Sequence, residues 1–155
     1  MKLLVFSDTH RCMHHMESAI LDETPDTVIH LGDHDRDAQQ LASVFPKLPI
    51  VSVQGNCDFY SPLGKERIIG EWGGVRMLLT HGHKFHVKSG LLRLSYAAQE
   101  AGVQAVLFGH THIPYCEQHN GIWFLNPGSC GFDRPTYGLI NISNGCADYQ
   151  LKRVD

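Results

Sequence analysis

Five short polar clusters contain the residue types that bind metal ions in proteins. Each follows an apolar run: SDTH after KLLVF, GDHD after TVIHL, QGNCD after PIVSV, HGH after VRMLLT, and HTH after AVLFG. Histidine is the commonest metal ligand among side chains, and the chain has 11 histidines in 155 residues. The candidate metal ligands in these clusters are Asp8, His10, Asp33, Asn56, His81, His110 and His112.

This mixture of two Asp, one Asn and four His predicts metal chemistry at phosphorus. A structural zinc site is usually rich in thiolate and closed at four ligands, which this set is not. Seven O and N ligands suit two ions that share a carboxylate. Paired ions about 3.5–4 Å apart recur in displacement at phosphorus, because both polarise a phosphoryl oxygen and a hydroxide held between them is a nucleophile near neutral pH. We therefore expect two divalent transition-metal ions, Mn²⁺ first, with Fe, Ni or Zn as alternatives.

The elements that must position these clusters alternate between strand and helix in the first half of the chain. Short apolar, β-branched runs at 2–6, 27–31 and 49–53 are typical of buried strands. Segments with helical spacing lie between them, so the pattern is βαβαβ with parallel pairing. Parallel strands end at one edge of their sheet, where ligands bind in open α/β folds. We expect the five clusters to converge there.

The second half of the chain has the pattern of hairpins. Gly73-Gly74, Asn120-Gly121 and Asn144-Gly145 are two-residue turn signals between apolar runs. A helix is predicted from about Ser89 to Ala101, and residues 105–109 read as another buried strand. We predict one α/β domain over residues 1–155, with two packed sheets and helices on the outer faces.

Composition excludes several classes of protein. Thirteen basic and sixteen acidic residues leave a net charge of −3, which gives no footprint for nonspecific nucleic-acid binding. No apolar run approaches the roughly 20 residues of a membrane span. The N-terminal residues lack the signal-peptide pattern, so the cytoplasm is expected. Five scattered cysteines without a CxxC motif indicate reduced thiols.

Taken together, the clusters resemble the calcineurin-like metallophosphoesterases. The family pattern is DxH, GDxx, GNHD or GNHE, H and GHxH, and its counterparts here span residues 8 to 112. The sequence LNPGS (125–129) also resembles a loop of the small family members. The short length and the Cys in GNCD are most similar to the YfcE/MJ0936-type branch of small phosphodiesterases.

The resemblance implies a four-layer α-β-β-α sandwich of two mixed sheets, the metallo-dependent phosphatase fold. It also implies ligand sets. The first metal would take Asp8, His10, Asp33 and His112, and the second would take Asp33, Asn56, His81 and His110. Asp33 would therefore bridge, and Asn56 would also contact the substrate through its amide.

The QGNCDF segment departs from the family pattern. Many members have histidine where this chain has Cys57, and that histidine is usually assigned to protonating the leaving group or binding a phosphate oxygen. A free thiol, with a pKa near 8.5, is a weak hydrogen-bond donor. The catalytic candidates are therefore Asn56, Cys57, Asp58 and His81, where Asp58 either assists the leaving group or braces the loop.

Other residues near the motifs have two interpretations each. His83 could line the site or serve only its loop, and His34 and Asp35 could touch substrate or be solvated. His30 is expected to be a satisfied core or interface group.

Two functions remain open from the sequence. The first is a metal-dependent phosphodiesterase acting on a small phosphodiester, with diesters favoured because no extra Arg or Lys lies near the motifs. The alternative is a protein-interaction scaffold similar to Vps29, the retromer subunit that shares the family fold. Neither interpretation calls for a membrane or a specific nucleic acid, and an oligomer is compatible with both.

Overall fold

The computed structural model describes residues 1–58, 64–131 and 134–154. The described residues form ten strands and three α-helices, with two short 3₁₀ turns at His83–Phe85 and Val87–Ser89. No helix among them is both long and apolar enough to cross a membrane. The elements are β1 (Lys2–Phe6), α1 (Met13–Glu23), β2 (Thr27–His30), α2 (Asp35–Val44), β3 (Ile50–Ser52), β4 (Arg67–Trp72), β5 (Val75–Thr80), α3 (Leu92–Ala101), β6 (Ala105–Leu107), β7 (Tyr115–His119), β8 (Ile122–Asn126), β9 (Thr136–Ser143) and β10 (Cys146–Arg153).

The strands form two mixed five-stranded sheets, as the sequence predicted. The first has the order β10-β9-β1-β2-β3, and the second has the order β4-β5-β6-β8-β7. β1, β2 and β3 are parallel, whereas β9 and β10 add antiparallel strands. In the second sheet β5, β6 and β8 are parallel, and β4 and β7 are antiparallel edges. All three predicted hairpins are confirmed: β4–β5, β7–β8 and β9–β10.

Alternation along the central strands builds the layers. Leu3 and Val5 of β1 belong to the core between the sheets, whereas Leu4 and Phe6 pack with α1 and α2. In the second sheet, alternate residues of β5 and β6 likewise face the inter-sheet core or α3. The resulting order of helix, sheet, sheet and helix confirms the predicted four-layer sandwich.

The predicted helix near Ser89 begins three residues later than expected. Residues 83–89 form two 3₁₀ turns instead. Left-handed backbone at Gly82, His86 and Gly90 (φ 103°, 54° and 130°) interrupts the α-helical hydrogen-bond pattern before Leu92.

Candidate metal centre

The five polar clusters meet where the carboxyl ends of strands from both sheets lie against each other. Three clusters follow β1, β2 and β3 of the first sheet, and two follow β5 and β6 of the second. His81 Nδ1 is 2.7 Å from the carbonyl oxygen of Leu31, and the His110 N–H donates to Asp8 Oδ2 at 3.1 Å. The expectation that the clusters converge at the edge of a single sheet therefore holds for only three of the five. The other two reach the site because the second sheet is stacked on the first.

Glycines in the motifs allow the loops to approach at backbone distance. A Cβ on Gly55 would lie 2.1 Å from Asp33 Oδ1, and a Cβ on Gly109 would lie 2.0 Å from Ser7 Oγ. Real Cβ atoms do not come so close to other atoms, so a side chain at either position would displace a loop that carries a candidate ligand.

Five of the seven candidate ligands have left-handed backbone. Non-glycine residues adopt this conformation rarely, at about 1–3 kcal/mol each, and such strain clusters at functional sites. The φ angles are 52° for Asp8, 46° for His10, 56° for Asp33, 70° for His110 and 61° for His112. Contacts with the surrounding structure therefore hold these loops in a backbone conformation that is intrinsically unfavourable for the five residues.

His81 lies at the centre of a group of electron-rich atoms. Its buried ring directs Nδ1 at a carbonyl oxygen, so Nδ1 donates a proton there and Nε2 is the nitrogen that can present a lone pair. Nε2 lies 3.1 Å from Asn56 Oδ1, 3.2 Å from His110 Nδ1 and 3.5 Å from Asp33 Oδ2. The lone pairs of the nitrogen and the oxygens repel one another unless a proton or a cation lies between them. This arrangement fits a metal ion.

One of the two carboxylate oxygens of Asp8 accepts no hydrogen bond from the described residues. Oδ2 accepts from Ser7 Oγ at 2.7 Å and from the His110 N–H. Oδ1 is buried and has no hydrogen bond among the described residues, although His112 Nε2 lies 3.0 Å away. A buried carboxylate oxygen left in this state requires an explanation, and a bound cation supplies one.

Within the described residues, two groups of carboxylate and imidazole donor atoms share Asp8. Ligand atoms of Asp8, His10 and His112 lie within 4.8 Å of one another, and so do those of Asp8, Asp33 and His81. Each group could hold a metal ion. Asp33 was expected to be the shared ligand, and it belongs to only one of these two groups. Its bridging role therefore stays a prediction, with Asp8 as a second candidate.

The electrostatics of the site lower the pKa of two candidate ligand histidines. Burial, followed by the nearby His81, lowers the pKa of His110 to about 4. Burial and the neighbouring His112 and His34 also lower the pKa of His10. Burial acts to raise the pKa of Asp33, but the neighbouring His81 and the N–H of Cys57 outweigh it, and this pKa is lowered. Neutral imidazoles beside ionised carboxylate are the forms that bind metal.

Cys57 is exposed at the rim of the site. Its Sγ lies 3.5 Å from Asn56 Nδ2, and its backbone N–H donates to Asp33 Oδ1 at 2.9 Å. Desolvation and the negative charge of Asp33 raise the thiol pKa to about 11. The side chain is therefore a neutral thiol at neutral pH, which makes it a poor nucleophile.

Asp58 is buried and joins two of the metal-site loops. Its carboxylate accepts four backbone N–H groups at 2.8–2.9 Å, from Asp33, His34, Asp35 and Gly55. These bonds use both oxygens, so the geometry favours the bracing interpretation over leaving-group assistance.

A buried relay supports the loop of Asp8 and His10 from below, and sequence reasoning missed most of it. The Gly32 N–H donates to His30 Nδ1 at 3.3 Å, so the opposite nitrogen donates to Thr9 Oγ1 at 3.1 Å. The Thr9 hydroxyl donates to Asp37 Oδ2 at 2.6 Å. Burial lowers the pKa of His30, which is a satisfied core group as expected. Nothing in the spacing of Asp37 distinguished it from a solvated helix residue.

A second support comes from the loop after β8. Asn126 Nδ2 donates to the Gly109 carbonyl at 3.0 Å, and Ser129 Oγ donates to the Asp8 carbonyl at 2.8 Å. The LNPGS sequence was the signal for this loop, but its contacts with the metal-site loops could not be predicted from the sequence.

The rings of His34 and His83 lie beside different candidate ligands. The His34 ring centroid is 5.1 Å from that of His10. The His83 centroid is 5.5 Å from His81 and 6.1 Å from His110. Asp35 begins α2, and its N–H bonds to Asp58.

Comparisons with known proteins agree with this geometry. A family model, the calcineurin-like phosphoesterase superfamily domain, matches residues 1–145. The chain is 31% identical over 153 residues to the probable metallophosphoesterase YsnB of Bacillus subtilis, covering 95% of this chain and 88% of that one. It is 29% identical over 162 residues to phosphodiesterase MJ0936 of Methanocaldococcus jannaschii, covering 91% and 93%.

The fold is also similar to that of Vps29. The structure of Vps29 from Entamoeba histolytica complexed with zinc aligns with a TM-score of 0.74 and 20% identity over 100% of both chains. An identity this low shows the shared fold alone. The family model and the relatives show more: the chain belongs to the calcineurin-like phosphoesterase superfamily, and with it to the metal-dependent hydrolases of phosphoric esters.

Proposed function

We propose that this chain is a dinuclear metal-dependent phosphodiesterase acting on small phosphodiesters, with residues 1–155 working as one domain. The observation that carries the proposal is the convergence on His81 Nε2. Three donor atoms lie within 3.1–3.5 Å of it, and its other nitrogen is fixed on a carbonyl oxygen. A second group around Asp8 Oδ1 supports a second ion.

Each proposed ion has its own set of ligands. Bound divalent ions, Mn²⁺ first, would supply positive charge that polarises a phosphoryl oxygen and lowers the pKa of water. One position would use Asp8, His10 and His112, and the other Asn56, His81 and His110, with Asp33 between them.

Two residues of the QGNCDF loop, Asn56 and Cys57, would act on the substrate. The Asn56 amide reaches the site with its oxygen toward His81, which leaves Nδ2 to face the rim, where its partner is the Cys57 sulfur. That N–H group would donate to a phosphoryl oxygen. Cys57 would offer at most weak protonation of the leaving group, and we therefore expect substrates with good leaving groups to be preferred. Asp58 would position the loops.

Diesters should be hydrolysed faster than monoesters. A monoester dianion gains more from fixed positive side chains than a diester does, and this site has few of them. We expect a higher kcat/KM for bis-nitrophenyl phosphate than for nitrophenyl phosphate. The reverse order would contradict the assignment to diesters.

The experiment that tests the main proposal combines metal removal with activity. Chelated protein should release no nitrophenolate, and readdition of Mn²⁺ should restore release while two ions bind per chain. Activity that survives complete metal removal would overturn the proposal.

A scaffold is the second candidate, and the similarity to Vps29 favours it. Because a Vps29 structure holds zinc, metal binding by itself does not separate the two functions. Turnover does: a scaffold would bind metal without releasing nitrophenolate from any diester.

A further inference from the structure

Asp37 in α2 contacts the loop that carries His10, and one of its oxygens binds that loop on both sides of the histidine. Oδ2 accepts from the Thr9 hydroxyl at 2.6 Å and from the Arg11 N–H at 2.8 Å. Thr9 and Arg11 are the sequence neighbours of His10. The carboxylate therefore holds the backbone of a candidate ligand through the residues next to it.

The loop needs such a contact because its backbone is strained. His10 and Arg11 have consecutive left-handed φ angles of 46° and 67°. Non-glycine residues keep this conformation only where the surrounding structure holds it. The Cys12 N–H donates to the Thr9 carbonyl at 2.9 Å, which closes the turn on itself. The bonds to Asp37 tie the same turn to a separate element, α2.

The side chains of this contact are buried and fixed in orientation. Thr9 and His30 are 0% exposed, and Asp37 is 5% exposed. Because the Gly32 N–H occupies His30 Nδ1, the ring donates from Nε2 to Thr9 Oγ1 at 3.1 Å, and the single hydroxyl proton of Thr9 is left for Asp37. A hydrogen bond to an ionised carboxylate is stronger than one between neutral groups. The contact is therefore specific in direction as well as strong.

The two groups of donor atoms that share Asp8 are braced by different buried carboxylates. His10 belongs to only one of these groups, and Asp37 holds its loop. Asp33 belongs to the other group, and its backbone N–H donates to Asp58 Oδ2 at 2.9 Å. Loss of the Asp37 carboxylate should therefore disturb one metal position and leave the brace of the other in place.

We propose that Asp37 is a positioning residue that fixes His10 for the ion bound by Asp8, His10 and His112. The inference rests on the proposed function, since it concerns how the same site holds one of its two ions. Asp37 acts through its bonds to the Thr9 hydroxyl and the Arg11 N–H, which keep the backbone of His10 in the conformation that brings the imidazole to the site. Its removal should weaken one ion selectively.

The first test measures Mn²⁺ binding by calorimetry. Asp37→Ala removes the acceptor of both bonds, so one ion should bind at least about tenfold more weakly, and the other should stay within about twofold of the parent. Asp37→Asn keeps an oxygen that can accept both bonds and should recover most of the loss. Asp22→Ala, at an exposed carboxylate of α1, is the control and should bind both ions as the parent does. Equal weakening of both ions in Asp37→Ala, or of neither, would overturn the proposal.

The second test removes the hydroxyl of Thr9 without changing the shape of the side chain. Thr9→Val should weaken the same ion as Asp37→Ala, whereas Thr9→Ser keeps the hydroxyl and should bind both ions nearly as the parent does. A purely structural role for the contact would lower the Tm of the metal-free protein without affecting one ion more than the other. That result in Thr9→Val would count against positioning.

The third test identifies which ion is lost, from the electron paramagnetic resonance spectrum of bound Mn²⁺. With one equivalent of Mn²⁺, Asp37→Ala should give the spectrum of His10→Ala, because both variants lose the ion that His10 binds. A spectrum that matches His81→Ala instead would show that Asp37 acts on the other position. Adding Asp37→Ala to His10→Ala should change the affinity of the remaining ion by less than about twofold, since residues that act through one another are not additive.

Failure of the inference can be distinguished from failure of the proposed function. If the parent binds two ions and hydrolyses no ester, the proposed enzyme is wrong, and the Mn²⁺ affinities still test Asp37. If the parent binds one ion only, the dinuclear assignment is wrong, and the inference holds only if that ion depends on His10 and Asp37 alike. If the parent is active with two ions and Asp37→Ala binds both as tightly, only the inference is wrong.

Discussion

At the scale of single residues, the centre combines ordinary side chains with unusual backbone. Asp8 and Asp33 are both buried carboxylates at positive φ, and each contacts His81 or His112. Their chemistry is that of any aspartate. The two aspartates therefore differ in one respect that remains to be tested, namely which of them is the ligand shared by both ions.

Replacing each aspartate in turn should identify the shared ligand. We expect Asp33→Asn to lose both ions, because it removes charge from both positions, and Asp8→Asn to lose one. Metal content measured by mass spectrometry decides between them. Two ions retained in Asp33→Asn, or both lost only in Asp8→Asn, would transfer the bridging role to Asp8.

The thiol of Cys57 gives a second prediction at this scale. If position 57 lacks a proton donor, Cys57→His should accelerate esters with basic leaving groups by about tenfold, below the 10²–10⁴-fold typical of a well-placed general acid. Nitrophenyl esters need little protonation and should barely respond.

A leaving-group series measured on Cys57→His, Cys57→Ser and the parent checks this. A uniform loss on every substrate with both ions still bound would mean that the loop needs a small residue here, and that the cysteine is kept for its shape.

At the scale of elements, the site depends on loops that hold one another. Asp58 in the loop after β3 accepts from four N–H groups, two of them between β2 and α2 and a third at the first residue of α2. Asn126 and Ser129 make similar bonds from the loop after β8. The Ser129 bond to the Asp8 carbonyl joins loops that follow strands of different sheets, β8 and β1.

Removal of the Asp58 carboxylate should therefore damage stability and metal binding together. Asp58→Ala leaves buried N–H groups without a partner, and we expect unfolding to be easier by about 2–3 kcal/mol. Urea denaturation of the metal-free protein measures this. Asp35→Ala, a neighbouring carboxylate in the first turn of α2, is the matched control and should lose less than about 1 kcal/mol. Equal losses in the two variants would argue against a bracing role.

At the scale of the whole molecule, the fold holds several histidines in neutral form, and this makes stability depend on pH. Burial is the first cause that lowers the pKa of His10, His30, His83 and His110. Below pH 6.5, the ordinary pKa of histidine, these side chains bind protons in the unfolded chain but stay unprotonated in the folded chain until the pH is lower. The unfolded state then binds more protons, so stability rises with pH in this range.

We expect the metal-free protein to lose stability as the pH falls from about 6.5 toward 4, the pKa of folded His110. Urea midpoints at several pH values between 4 and 7.5 measure the slope. His110→Gln should flatten it, whereas His14→Gln, a change at an exposed surface histidine, should not. Midpoints that are constant, or that rise toward low pH, would contradict this account.

The sequence by itself determined the fold class and the candidate ligands. Short apolar, β-branched runs predicted the buried strands, and Gly-Gly and Asn-Gly dipeptides predicted three hairpins. Aspartate, asparagine and histidine at strand ends identified the site, because metal ligands are limited to a few residue types and loops at strand ends carry them. These signals are local in the sequence, so they can be recognised without knowledge of the tertiary structure.

Only the tertiary structure decided how the clusters meet. The stacking of two sheets brings His81 against Leu31 and Gly109 against Ser7, and no local pattern encodes that register. The same holds for Asp37 and for the contacts that the 126–131 segment makes with the metal-site loops. The physical reason is the same in each case. Contacts between distant segments arise from packing and from the strained backbone that packing maintains, and neither can be predicted from composition or residue spacing.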